Sequence, residues 1–522
     1  MTGCYAGGLI VRGGAEKTMS RANNILFLMA DQLSPHALPC YGHPLVKAPH
    51  IDALARRGAV FGNAYTGSPM CVPARAAMMT GQLGSTIGVY DSGSELPAGI
   101  PTIGHYLRLN GYDTCLSGKC HFIGPDQLHG FERRLTTDVC PSGFLWNGDW
   151  DRPDVILEWY HTLKNVVTAG VAERSIQQDH DEEAAQRATR WLYQWARVPE
   201  RRPFCLFVSF SHPHDPYVTP QRYWDRYDHD AIDMPAVPHI PVDQRDPYAA
   251  WLYRHYDRSE YAISQEHVRT ARHAYYGNIS FIDDLIGGIL ATLRTIREDE
   301  RTTIVLCADH GDMLGERGLW YKMAPYERST RIPLIIATPG MTGPRRIDRN
   351  VSLIDLMPTM LDLAGCMSSL VEPIDGLSLK PLLDDPAAEW PDMVASEMFF
   401  EGLAEPALML RCGRYKYVRC SRAAALLFDL EQDPHELRDL AADPAYAGVV
   451  NELRLKIEQR WDIDRLTADI LKSQRRRNLI MRAVSLGRTP AWDFQPFEDA
   501  TRMYYRGGGN WHEAEERDFL RF

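Results

Sequence analysis

Residues 23–31 read NNILFLMAD, an unbroken apolar run closed by an aspartate. The run is too short to cross a membrane, and it lacks the polar/apolar alternation of a strand with one wet face. Three later stretches share its texture: PFCLFVSF at 203–210, TTIVLCAD at 302–309 and IPLIIATPG at 332–340. Short non-alternating runs of this kind predict strands buried on both faces, as in a parallel sheet. Amphipathic helix patterns lie between them, among them HIDALARRG at 50–58, TIGHYLRLNGY at 102–112, DEEAAQRATRWLYQWARV at 181–198 and SFIDDLIGGILATLRTI at 280–296. The expected fold is therefore α/β, a mostly parallel central sheet flanked by helices. In such sheets ligands bind outside the carboxyl ends of the strands. Asp31 with Gln32, then SHPHDPY at 211–217, then DHGD at 309–312 fall at those ends, so three distant segments are expected to meet in one crevice.

With 522 residues, 45% of them hydrophobic and 24% charged, the chain has ample material for a core. A net charge of −11 provides no general basic field for nucleic acid or an anionic membrane, so neither is expected as a partner. Eleven cysteines without metal-finger spacing, several inside apolar runs, suit a reducing cytoplasm. The first residues, MTGCYAGGLIVRGGAEKTMS, are too broken by glycine and Arg12 for a secretory core, and translation starting at Met19 is compatible with that weak character. The texture changes near residue 385. The expected organisation is a catalytic α/β domain over 20–385 and a smaller α+β subdomain with an antiparallel sheet over 386–465. A helical segment and extended aromatic tail follow over 466–522. The basic run LKSQRRRNLIMRAV at 471–484 reads as a solvated helix face. ALLFDLEQDPHELRDLA at 425–441 reads as a strand followed by a helix.

The chemistry begins at SPMCVPARAAMMTGQLG, residues 68–84. Pro73 suits the first position of a helix, which puts Cys71 just before a helix N-terminus where free N–H groups favour an anion. Arg75 lies one turn on and can hold the same charge. A cysteine picked at random is more often a small buried hydrophobe, but this spacing argues for a functional one.

Cys71, Pro73, Arg75, Thr80 and Gly81 form C-x-P-x-R followed by T-G, which resembles the signature of type I sulfatases of the alkaline phosphatase superfamily, with Ala74 where that family usually carries serine. The resemblance implies that Cys71 is oxidised after translation to formylglycine by a formylglycine-generating enzyme. The hydrated aldehyde then offers one hydroxyl to attack sulfur and a second to expel sulfate. It implies one divalent metal, held by Asp31, Gln32, the residue 71 side chain, Asp309 and His310. Calcium is expected from the oxygen-rich set, with magnesium and manganese as alternatives. Asp312 is expected to stand behind these ligands. The family pattern further implies that Lys119 and His121 bind the sulfate and the formylglycine hydroxyl, that His214 protonates the leaving oxygen, and that Lys322 is a second sulfate-binding lysine. His212 is expected to be a flanking residue.

Within that family SGKCHFIGPDQLHGFERRLTTD at 117–138, WDRPD, EWYH, SHPHDPY, HGDMLGERGLWYKM and the tail WDFQPFEDA are most similar to the choline sulfatase branch, covering nearly the whole chain. The expected substrate is a sulfate ester with a cationic head group, held by aromatic faces and carboxylates at Trp146, His161, Glu397 and Asp499. Thr162 stands where that branch often has asparagine, and Asp149 in LWNGDW is a longer side chain able to compensate. The branch also implies a homodimer or homotetramer whose tail reaches a neighbouring subunit. Rival readings are a phosphonate monoester or phosphodiester hydrolase, an arylsulfatase, or a non-catalytic choline-ester binding protein whose Cys71 is never converted.

Overall fold

The structure, a computed structural model, describes residues 22–256, 261–400, 403–503, 506 and 520. The readings that concern the first residues and Met19, and the tail beyond 503, lie outside them. The main sheet runs in the order Arg345–Ser352, Ala59–Tyr65, Leu334–Ala337, Thr302–Ala308, Asn24–Asp31, Phe204–Pro213, Asp113–Gly118, Arg133–Arg134. Asn24–Asp31 lies at its centre, parallel to both neighbours, with Leu26 level with Leu206 and Ile304. All eight of its residues are buried. Fully burying one such side chain stabilises the fold by about 1.5–3 kcal/mol, so a strand covered on both faces is a major anchor. The sheet is mostly rather than wholly parallel, because Leu334–Ala337 runs antiparallel to both of its neighbours. The helices Ile176–Ala196 and Gln265–Thr295 cover it, each opened by a serine capping box, at Ser175 and Ser264.

The helix Cys71–Thr80 begins two residues earlier than the proline suggests: Met70 is the N-cap and Pro73 the third helical residue. The first four N–H groups of any helix lack an intrahelical acceptor, so proline costs no more at the third position than at the first. All ten residues are buried. Gly81 ends the helix at φ 67°, a left-handed conformation that glycine adopts without strain, and donates its N–H to the Ala77 carbonyl at 2.8 Å.

A second sheet of four antiparallel strands follows: Met393–Met398, Ala407–Cys412, Tyr415–Arg419 and Leu426–Asp429. The helix expected after the last strand is absent. Asp433 and Asp439 there accept backbone N–H groups from Arg438, Leu427 and Ala441 at 2.7–2.9 Å, which ties the chain into turns in place of helix. The next helix is Ala447–Arg460, and Ile463–Val484 follows it. Lys416, fully buried, fastens this sheet to the main body through Glu327 and Glu436 at 2.8 Å and the Pro325 carbonyl at 2.9 Å. Among the described residues no helix is long and apolar enough to cross a membrane.

The turn Leu353–Asp355 packs against the Cys71 helix. Asp355 accepts the N–H groups of Ser352 at 2.7 Å and Leu377 at 2.8 Å, and burial pushes its carboxyl up to about 7. An unfolded aspartate titrates near about 4, so the raised folded value makes a stabilising contribution that is complete below about pH 4 and is lost as pH rises through about 7. The melting temperature should therefore fall between pH 5 and 7.5, and fall less in Asp355→Asn. Scanning fluorimetry giving equal slopes for the two proteins would refute this.

Candidate active site

At the carboxyl ends of the central strands Asp31, Cys71, Asp309 and His310 each turn one donor atom toward a common point, all within 4.8 Å of one another and all buried. The Cys71 Sγ lies 3.1 Å from His310 Nε2 and 3.7 Å from Asp31 Oδ1. The Nδ1–H of His310 donates to the Gly311 carbonyl at 3.0 Å, so in the neutral ring Nε2 presents its lone pair to the cluster. The remaining carboxylate oxygens are held elsewhere. Arg75 Nε donates to Asp309 Oδ2 at 2.8 Å, Arg75 Nη2 to Asp31 Oδ2 at 3.0 Å, and Lys119 Nζ to that same oxygen at 2.7 Å. Arg75 Nη1 completes the fork on the Lys119 carbonyl and Ser209 Oγ. Burial pushes the Asp31 carboxyl up, but Lys119, His214, Arg75 and His310 outweigh it and hold the group well below the usual range. Two ionised carboxylates, one imidazole lone pair and the residue 71 side chain, converging this closely, fit one hard divalent cation with ligands at about 2.3–2.6 Å.

Gln32 borders this cluster. Its Oε1 accepts from Lys322 Nζ at 2.8 Å and its Nε2 donates to Asp312 Oδ2 at 2.6 Å. Asp312 also accepts from Tyr217 at 2.9 Å, and burial pushes its carboxyl up to about 6. Lys322 is held as well by His214 Nε2 at 2.6 Å and His161 Nε2 at 3.3 Å. The His214 Nδ1 lies 2.7 Å from the Asp215 carbonyl, to which it must donate, so Nε2 is the acceptor for Lys322. Burial and then Lys322 push His214 down to about 3. Thr162 meets the site through its backbone, its carbonyl accepting from Tyr321 at 2.6 Å. The Asp149 side chain, proposed as compensation for Thr162, is engaged by Arg152 at 2.6 Å. His212 is fully buried against Asp181 at 2.7 Å, a supporting place.

The opposite wall carries His121, whose ring nitrogens are buried and have no hydrogen-bond partner among the described residues. Burial and then Lys119 push it down to about 3. Its backbone sits at φ 58°, and Gln32 at 63° and Tyr321 at 61° share that conformation, which costs non-glycine residues about 1–3 kcal/mol each and collects at functional sites. Asp138 holds the His121 turn by accepting the N–H groups of Cys120 at 2.9 Å and His121 at 2.7 Å, and is itself paired with Arg134 at 2.8 Å. Nothing in the sequence around Asp138 marks it for this role. Asp138 closes the 117–138 stretch and Asp215 lies in 211–217, so both stretches were singled out while neither aspartate was. The Trp146 ring meets His121 edge-on at 5.3 Å.

Two expected residues stand apart. The Glu397 carboxylate accepts from Ser85 N–H at 2.8 Å, from the Ser85 hydroxyl and from Trp461 Nε1 at 2.7 Å, which joins the second sheet to the main body. Asp499 is exposed, caps Thr501 at 3.0 Å, and lines an arginine-rich cavity of about 580 Å³ together with Arg187 and Arg190, away from Cys71. Within one chain the structure thus brings together Asp31, Gln32, Cys71, Arg75, Lys119, His161, His214, Asp309, His310 and Lys322 through direct contacts, and His121 with Trp146 beside them.

A family model described as Sulfatase matches residues 23–366, one described as N-sulphoglucosamine sulphohydrolase, C-terminal, matches 315–462, and one described as choline sulfatase enzyme C terminal matches 468–522. The chain is 42% identical to a choline-sulfatase of Rhizobium meliloti (strain 1021), over 94% of this chain and 97% of that protein. It is 28% identical to an arylsulfatase of Clostridium perfringens (strain 13 / Type A), over 83% and 92% of the two chains. Among solved structures, the phosphonate monoester hydrolase of Agrobacterium radiobacter superposes with a TM-score of 0.66 at 25% identity, covering 86% of this chain and 96% of that one.

Proposed function

Since the chain belongs to the sulfatase family and is a sulfuric ester hydrolase, we propose that it cleaves choline-O-sulfate to choline and sulfate, with a formylglycine made from Cys71 and one divalent cation. The observation that carries the substrate is the likeness to a choline-sulfatase over nearly the whole length, C-terminal segment included. Held by Asp31, residue 71, Asp309 and His310, the cation supplies charge that acidifies a hydroxyl on residue 71 and draws sulfate oxygens. Arg75 and Lys119 keep the two carboxylates ionised and aimed. Lys119, Lys322 and His121 line the space for a tetrahedral anion, where buried donors act at low dielectric. His214, oriented by the Asp215 carbonyl, accepts at Nε2 from Lys322 and in this reading relays a proton from that ammonium to the departing oxygen. Trp146, beside His121, and His161, beside Lys322, are the aromatic faces offered to the quaternary ammonium, which cannot donate a hydrogen bond.

In this reading Asp499 serves the cationic head group only if the chain associates, while Glu397, buried and held by Ser85 and Trp461, joins the two sheets. A homodimer or homotetramer is supported by exposed apolar side chains on the last helix and tail, Leu479, Ile480, Leu486 and Phe497. The ten cysteines among the described residues, all free of disulfides, support a reducing cytoplasm as the place of action, with a formylglycine-generating enzyme as partner in maturation.

The test is kcat/KM for choline-O-sulfate, 4-nitrophenyl sulfate and a phenylphosphonate ester, on protein co-expressed with that enzyme. The assays are repeated after chelation and return of calcium, magnesium or manganese. Choline-O-sulfate should win by at least about 100-fold, a ratio that two or three kcal/mol of head-group binding supplies. Chelation should abolish turnover and one cation restore it. A phosphonate preference would favour the reading suggested by the phosphonate monoester hydrolase likeness, and inactivity with unmodified Cys71 would favour a binding protein.

A further inference from the structure

The basic run near the C-terminus, expected to be a solvated face, is only partly so: in the helix Ile463–Val484, Arg475 and Arg476 are exposed but Gln474 and Arg477 are buried. These two and Asn478 point at the loop that carries Trp146. Asn147 Nδ2 donates to the Gln474 carbonyl at 3.0 Å and to Asn478 Oδ1 at 2.8 Å, and Trp150 N–H donates to Gln474 Oε1 at 2.9 Å. Arg477 holds Asp91 with both Nη atoms at 2.5 and 2.9 Å, and Asp91 Oδ1 accepts Gly93 N–H at 3.1 Å. A Cβ on Gly93 would lie 3.0 Å from Arg477 Nη1 and 3.1 Å from both Asn147 N and the Trp146 carbonyl carbon, so helix, turn and loop are pressed together there. From the other side Trp492 meets Phe144 edge-on at 5.3 Å, and Asp493 accepts Ser142 N–H at 3.2 Å. The loop is thus gripped on both flanks by residues from the end of the chain.

We infer that Gln474 and Asn478 are positioning residues for substrate selection: through Asn147 and Trp150 they set the Trp146 ring against His121, and so fix the width of the head-group pocket. The inference rests on the reading of Trp146 given under Proposed function. Neither residue touches substrate. Their contribution is orientation of an aromatic wall, which weighs on the cationic portion of the ester and not on its sulfate.

The test is a double-mutant cycle of Asn478→Ala and Gln474→Leu against Trp146→Ala, following kcat and KM for choline-O-sulfate and 4-nitrophenyl sulfate, with melting curves on each variant. Each helix variant should raise KM for choline-O-sulfate about tenfold, the size of one misplaced contact, and change kcat by less than about twofold. In the Trp146→Ala background the same substitutions should add less than about twofold, because residues acting through one wall do not add. Gln474→Glu should restore the wild-type KM: it keeps the acceptor for Trp150, and Gln474 Nε2 makes no hydrogen bond that would be lost. Should Gln474→Leu melt at room temperature, Asn478→Ala and Gln474→Glu carry the test. Increments that multiply in the double variants, or an equal fall of kcat on both esters, overturn the inference. If the wild type turns over the aryl ester and not choline-O-sulfate, the substrate reading fails. The cycle on aryl-ester KM then decides the positioning role by the same additivity criterion.

Discussion

Cys71→Ala will lose sulfate ester hydrolysis, with kcat/KM falling by about 10⁴-fold or more, the usual cost of removing a covalent nucleophile. Among the described residues the cluster where Sγ faces His310 and Asp31 holds no second thiol. An unconverted thiol is no substitute in the proposed reaction, since it lacks the second hydroxyl by which the hydrated aldehyde expels sulfate. Folding should be untouched, because alanine suits a buried helical position and loses only one sulfur atom. Steady-state rates, melting curves and peptide mass spectrometry across residues 68–84 read all three quantities. Activity within tenfold of wild type, in a protein whose mass confirms alanine, would remove Cys71 from the chemistry.

Arg75→Leu should be the most destabilising single change at the site. The guanidinium is buried between Asp31 and Asp309, and taking one partner from a buried ion cluster costs about 3–5 kcal/mol because the other charges stay behind unpaired. For a chain of this size that is roughly a 3–5 °C drop in melting temperature. The two uncompensated carboxylates should recover part of the loss from added divalent cation, so the variant should gain more from calcium than the wild type does. Arg75→Lys should rescue little, since one ammonium cannot span Asp309, Asp31, the Lys119 carbonyl and Ser209 together. Calorimetry with and without cation decides it. A drop of under about 1 °C would mean that the carboxylates are balanced by Lys119 alone.

Much of this arrangement was legible in the chain because it depends on local patterns. Apolar runs with no alternation marked the buried strands, and the polar residues that end them had to share one edge of the sheet. The antiparallel course of Leu334–Ala337 was not legible, since a run buried on both faces reads the same in either direction. The turns at 430–442 look helical by composition and are decided by aspartates capturing backbone N–H groups, a competition that periodicity cannot register. Asp138 and Gln474 were invisible for a different reason. Each acts on a segment brought near only by folding, and an aspartate or glutamine in isolation carries no sign of what it will hold. The inward turn of Arg477 follows likewise from Asp91, which lies 386 residues away in sequence.

The central position of Asn24–Asp31 also sets a clock. Its neighbour Thr302–Ala308 leaves the ribosome about 270 residues later, roughly 15–50 s at ordinary elongation rates. Throughout that interval the central strand of the sheet has one edge without its partner, and His310 and Asp309 do not yet exist to close over Cys71. Only 4% of Cys71 is accessible in the finished fold. Under the proposed conversion of Cys71 the span of synthesis is the window in which an oxidising enzyme can reach that side chain, and a faster translation rate would shorten it.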